Sequence, residues 1–211
     1  MYFLYFPRKT MWDVLIALSE IAEPSRHPDV KIHFPDRDLL IPNIASSPAE
    51  YEWPHDAESF WFSSVYQFDA DNAILQYQQN GWIDINDHTL QVTNPPEKIG
   101  IGYIYLHICT DLQKELGHKK SADLVLYRFF TTGTRMSLLF QYSSSIRKAF
   151  VNLLQGFQGE CGIFFNESDF TELFWFKCKP YYQNIPDAWM PPDEIQNLLA
   201  GADHSNHWGD R

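Results

Sequence analysis

"ADLVLYRFFTTGTRMSLLFQYSSSIRKAFVNLLQGF", residues 122–157, decides how this chain is read. Two apolar runs flank "TTGT", and each alternates well enough to be a strand. With "TTGT" as a four-residue turn, position 130 faces 135 and 128 faces 137, because antiparallel partners step in opposite directions. Val125, Tyr127, Phe129, Met136, Leu138 and Phe140 then line a dry face. Leu124, Leu126, Arg128, Phe130, Arg135, Ser137, Leu139 and Gln141 line a mixed one. After this hairpin, Ser144 or Ser145 of "SSS" is placed to cap a helix with Ile146, Ala149, Phe150, Leu153 and Leu154 on one side and Gly156 past its end. "ECGIFF" follows as a strand.

The same strand, helix, strand order recurs on the N-terminal side. "MYFLYF" reads as a strand, Thr10 and Asp13 form a capping box, and Trp12, Leu15, Leu18 and Ile21 keep helical spacing until Pro24. "VKIHF" and "DLLIP" are strand pieces around a turn, and residues 43–58 read as a loop. "SFWFSSVYQF" is the next strand. Asp69 or Asp71 caps "NAILQYQQ", Gly81 takes the left-handed position after it, and Trp82 folds back on the last turn. "WIDIN" and "TLQVT" make a hairpin about "NDH". "KIGIGYIYLHICTDL" is apolar on both parities, as a strand covered on both faces would be, and a helix is the alternative. "DLQKEL" reads as a short helix ending at Gly117.

Three such units plus hairpins predict an α+β protein. We expect a single domain, residues 1–180, with a mixed, largely antiparallel sheet and helices packed on it. Residues 181–211 are expected to form an extension with one short helix, "DEIQNLLA", and a polar tail. A chain of 211 residues with 45% hydrophobic and 20% charged residues is long and apolar enough for a sizeable core. Its 7 Trp, 11 Tyr and 16 Phe point to a heavy core or to anchors at an interface.

The net charge is -11, and it is unevenly spread. Residues 1–90 hold 5 basic and 14 acidic side chains, residues 91–150 hold 8 and 4, and residues 151–211 hold 3 and 9. Between Asp36 and Asp71 eight acids face one base, Arg37. Such a chain is repelled by nucleic acid and anionic lipid and attracted to basic partners, so neither direct nucleic-acid nor membrane binding is expected. Three cysteines without a C-x-x-C spacing predict reduced thiols, and the N-terminal run has the wrong charge order for a signal peptide. Both features lead us to expect a cytoplasmic protein.

No pattern in the chain carries a catalytic or cofactor motif, and we expect no cofactor and no resident metal. Arg128 and Arg135, with Ser144 and Ser145 at a helix N-terminus, are a candidate anion site. Their competing role is pairing with the chain's own acids. His107 and Cys109 alternate on one strand face, which suits two core side chains better than a thiol catalyst lacking a helix dipole. His204 and His207 with Asp203 and Asp210 have ligand-type side chains, but on a chain end where binding would be adventitious. "SSPAEYEWPHDAESFWF" interleaves acids with rings, and Glu50, Tyr51, Glu52, Trp53, Asp56, Glu58 and Trp61 are the candidate partner-binding residues. The sequence therefore leads to an acidic module for a basic protein partner, in its sharpest form an immunity protein or antitoxin blocking a cationic toxin enzyme. A small hydrolase or transferase gripping an anionic substrate with Arg128 and Arg135 is the rival.

Overall fold

The computed structural model describes residues 1–24, 28–45, 49–53, 59–83, 97–112, 114, 123–131, 133–166, 170–185 and 192–202. In chain order the elements are β1 (Tyr2–Pro7), α1 (Met11–Ile21), β2 (Val30–Phe34), β3 (Arg37–Ile41), β4 (Ala49–Glu52), β5 (Ser59–Asp69) and α2 (Asn72–Gln79). They continue as β6 (Lys98–Cys109), β7 (Leu124–Thr131), α3 (Thr134–Tyr142), α4 (Ser144–Gly156), β8 (Cys161–Asn166), β9 (Phe170–Phe176), β10 (Lys179–Ile185) and α5 (Pro192–Ala202). Seven strands form one sheet in the order β10-β9-β8-β1-β7-β6-β5, antiparallel at every join. A second sheet has the order β3-β2-β4, with β2 antiparallel to β3 and parallel to β4. The fold is α+β in a single compact domain.

The N-terminal strand β1 lies in the middle of the large sheet, and its run "YFLYF" is fully buried on both parities. Tyr2, Leu4 and Phe6 face a large cluster with Leu15 and Leu18 of α1, Phe140 of α3 and Phe150 of α4. Phe3 and Tyr5 face a smaller cluster that includes Cys109, Leu126, Ile163 and, from α5, Ile195. The boundary drawn at residue 180 thus falls inside β10, whose Ile185 belongs to that smaller cluster.

The 122–157 stretch is the main correction. β7 forms as expected, but residues 134–142 are a helix and no hairpin follows "TTGT". Met136, Leu139 and Phe140 fit a helical stripe while Met136, Leu138 and Phe140 fit a strand's alternation, so periodicity alone is ambiguous here. The ladder decides: β7 is paired to β1 on one side and β6 on the other, leaving no free edge for a returning strand. Ser143, not Ser144 or Ser145, is the N-cap of α4, accepting from the Ile146 amide at 3.1 Å.

Two other local readings change, and a hairpin forms where none was expected. Thr10 makes no capping bond to α1; its hydroxyl donates to the Pro7 carbonyl. Residues 49–52, read as loop, are β4. The hairpin of β9 and β10 turns through Lys177 and Cys178, at φ 49° and 59°. Two-residue hairpin turns of this kind normally carry Asn-Gly, which is why the sequence concealed this one. We predict that Lys177→Asn with Cys178→Gly raises stability by about 1–2 kcal/mol, since non-glycine residues are strained in left-handed backbone. A urea unfolding midpoint no higher than that of the parent would show that the turn bears no such strain.

The C-terminus of α2 matches the sequence reading. Gly81 has φ 65°, the Trp82 amide donates to the Tyr77 carbonyl at 2.9 Å, and the Gly81 amide donates to the Gln78 carbonyl at 3.0 Å. The Trp82 ring packs edge-on to Tyr77 at 5.1 Å. Residues 84–96, with most of their expected hairpin, and half of "DLQKEL" lie outside the described residues. No helix among the described residues is long and apolar enough to cross a membrane.

Candidate functional site

The two edges of the large sheet are protected differently. At the β10 edge, Lys179, Pro180 and a register shift between Pro180 and Gln183 interrupt the ladder, three features that discourage further strand pairing. At the β5 edge the outward backbone groups are taken up by neighbouring chain. Tyr51 donates its hydroxyl to the Trp61 carbonyl at 2.9 Å and accepts the Trp61 amide at 3.3 Å. Ser63 accepts from the Ile44 amide at 2.9 Å and donates its amide to the Asn43 side chain at 3.3 Å. Val65 accepts from the Glu23 amide at 2.8 Å.

β4 is the strand that brings Tyr51 there, and its alternation sorts the predicted partner-binding residues. Tyr51 and Trp53 turn inward and are half-buried, while Glu50 and Glu52 are exposed. The Tyr51 ring meets Phe60 edge-on at 5.0 Å, and Trp53 lies between Phe34 and Phe60 at 6.3 and 6.1 Å. Arg8 sits 5.5 Å over the Trp53 ring and also donates to the Thr110 carbonyl. Asp56 and Glu58 lie outside the described residues.

The acids of residues 36–71 are not equivalent. Asp36 pairs with Arg37. Asp38 accepts from Lys31 at 2.9 Å and from His33 Nδ1 at 2.8 Å, and the Lys31 bond, followed by the His33 bond, holds its carboxyl below the usual range. Glu50 reaches His33 Nε2 only at 4.0 Å and its side chain is 72% exposed. Glu52 makes no ion pair among the described residues. Glu50 and Glu52 are therefore the acids of this sheet that leave most charge facing solvent.

Trp61 is 50% exposed, the most exposed tryptophan among the described residues. Its ring stacks on His107 at 3.8 Å and 12°, and more loosely on Phe130 at 5.6 Å. The register sets this up, because Trp61 pairs with His107 and His107 with Arg128 across β5, β6 and β7. Arg128 Nη1 lies 3.3 Å from His107 Nδ1; a guanidinium only donates, so Nδ1 accepts. Both groups are buried, as is Cys109 two residues on.

The anion site expected from Arg128, Arg135, Ser144 and Ser145 is not assembled. Arg128 projects from the face of the sheet that holds the smaller cluster. Arg135 lies in the first turn of α3, on the other face, 5.0 Å over the Trp82 ring. The N-terminus of α4 does hold an anion, but it is the chain's own Asp71. That carboxylate accepts from the Ser145 amide at 2.9 Å, the Ser143 hydroxyl at 2.8 Å and the Ser144 hydroxyl at 3.2 Å, and it also caps α2 through the Ile74 amide at 2.9 Å. Burial alone would raise the Asp71 pKa; the hydrogen bonds from Ile74, Ser145, Ser143 and Ser144 outweigh it and hold the group below the ordinary carboxylate value.

The three arginines of residues 91–150 are also engaged internally. Arg147 pairs with Glu172 at 2.7 Å and lies 4.8 Å over the Phe174 ring, while Arg128 and Arg135 are engaged as described. Among the described residues no three His, Cys, Asp or Glu side chains converge as a metal site requires, and His204 and His207 lie outside them. The sequence names Trp61, Glu50 and Glu52 as candidates, but not the roles of Tyr51 and Asn43 in closing the β5 edge, for which one sequence carries no signal. Compared with known proteins, the chain matches no family model, no curated protein and no solved structure.

Proposed function

We propose that this chain is a cytoplasmic protein-binding module that captures a basic protein partner, most sharply as an immunity protein or antitoxin that neutralises a cationic toxin enzyme. The supporting observation is the alternation on β4, which sends Glu50 and Glu52 to solvent while Tyr51 bonds the main chain of Trp61, left half-exposed at the sheet edge. An acidic surface over a compact domain steers a basic partner, and opposite fields raise association rates by about 10- to 1,000-fold. A fast encounter suits neutralisation of a damaging enzyme. The competing enzyme reading needs Arg128, Arg135 and a base such as His107 to converge; Arg128 meets His107 at 3.3 Å, but Arg135 lies on the other face of the sheet over Trp82.

The test is capture from the source cell with native bait and with Glu50→Lys, Glu52→Lys bait. We expect the native bait to retain a basic protein at low salt and to release it toward ~1 M salt, where the screening length falls to about 3 Å. The reversed bait should lose at least about tenfold in association rate with that protein once it is purified. Capture that is indifferent to both salt and charge reversal would remove the acidic surface from consideration.

A further inference from the structure

Trp61 is held at both ends yet left open on its surface. Its main chain is bonded at the amide and the carbonyl by the Tyr51 hydroxyl, and its ring rests on His107, which in turn accepts from Arg128. A half-exposed indole of fixed orientation loses little freedom when something binds it, which is the property of a preorganised anchor.

The other tryptophans indicate what that something is. Trp12 carries Arg37 over its ring at 4.9 Å, Trp53 carries Arg8 at 5.5 Å, and Trp82 carries Arg135 at 5.0 Å. Trp175 is buried, with its indole N–H given to the Gly159 carbonyl at 2.7 Å. Among the described residues no cation of this chain lies over Trp61, although it is the most exposed of them. The molecule also contains the full arrangement in miniature: Arg37 is stacked on Trp12 while its guanidinium pairs with Asp36. At Trp61 the ring is present, and the solvent-facing Glu50 and Glu52 are the chain neighbours of the tyrosine that bonds its main chain. The cation is the missing member.

We propose that Trp61 is the docking point for an arginine side chain of the partner, which stacks on the indole while the acidic surface that carries Glu50 and Glu52 draws the basic partner in. This rests on the basic-partner reading above and adds to it a named anchor and a preference for arginine. The planar guanidinium stacks on an aromatic face, whereas the lysine ammonium is a strongly hydrated point charge.

The full chain would be titrated with a nona-arginine and a nona-lysine peptide at low salt, comparing the parent, Trp61→Ala, Trp61→Phe and Glu50→Lys, Glu52→Lys. Trp61→Ala is expected to weaken nona-arginine binding about three- to thirty-fold, the span of a cation–π contact from exposed to desolvated. Trp61→Phe should fall between, and nona-lysine should depend less on the ring. Urea unfolding of each variant guards against misfolding, and the phenylalanine variant keeps a ring over His107. Equal affinity of parent, Trp61→Ala and Trp61→Phe, with binding still weakened by the charge reversal, would overturn the anchor and leave the basic-partner reading standing. Failure of the parent to bind either peptide would overturn both.

Discussion

Phe150→Ala is expected to destabilise the protein by about 3–5 kcal/mol, the usual cost of emptying a phenylalanine site in a core. Phe150 is 2% exposed and joins α4 to three strands and to α3. Its ring lies 4.5 Å from Tyr2 of β1, 4.7 Å from Phe129 of β7, and 6.3 Å from both Phe68 of β5 and Phe140 of α3. Several of these neighbours are fixed in strands, so the cavity has little means of closing. Against a total stability of about 5–15 kcal/mol this is a large fraction, and at about 2–4 °C per kcal/mol the melting temperature should drop by roughly 6–20 °C. Thermal and urea unfolding check it. A loss below about 1 kcal/mol would mean that α4 does not pack on the sheet through this ring. Phe150→Leu, which keeps more of the volume, should cost distinctly less.

Asp71→Ala is expected to cost about 2–4 kcal/mol, because one carboxylate caps two helices and each cap contributes about 1 kcal/mol, more when charge-assisted. The Ile74 and Ser145 amides would lose their acceptor together, and α2 would lose its tether to α4. Asp71→Asn should cost less, since asparagine also caps, but it separates geometry from charge. The folded Asp71 pKa lies below its unfolded value. Its charge therefore adds stability above about pH 4, and this contribution is lost as pH falls through the folded value. The stability gap between parent and Asp71→Asn should accordingly be full near neutrality and shrink below about pH 4. A gap independent of pH would show that the carboxylate charge is not what the helix ends hold.

The two residues differ in how far they could be read from the chain. Phe150 was visible because Ile146, Phe150, Leu153 and Leu154 mark one side of a helix wherever that helix packs. Asp71 was visible, together with Asp69, as a candidate cap of α2, since capping is a contact between near neighbours. Its second role at α4 joins residues more than seventy positions apart and left no trace in local pattern. Arg135 shows the same limit. Its place over Trp82 follows from α3 being a helix, and the helix follows from the two strands already paired to β7.

The sequence by itself determined β1, the amphipathic α4 and the Gly81 ending of α2, and it narrowed β6, apolar on both parities, to a strand or a helix. It also determined the excess of acids and their nearness to Trp61 along the chain. Only the tertiary structure decided that residues 134–142 are helical, that β4 joins β2, that Tyr51 and Trp53 turn inward while Glu50 and Glu52 turn out, and that Arg128 and Arg135 lie on different faces. Periodicity reports which side chains avoid water. It does not report which backbone edge is free to accept a strand, because that depends on partners supplied from distant parts of the chain.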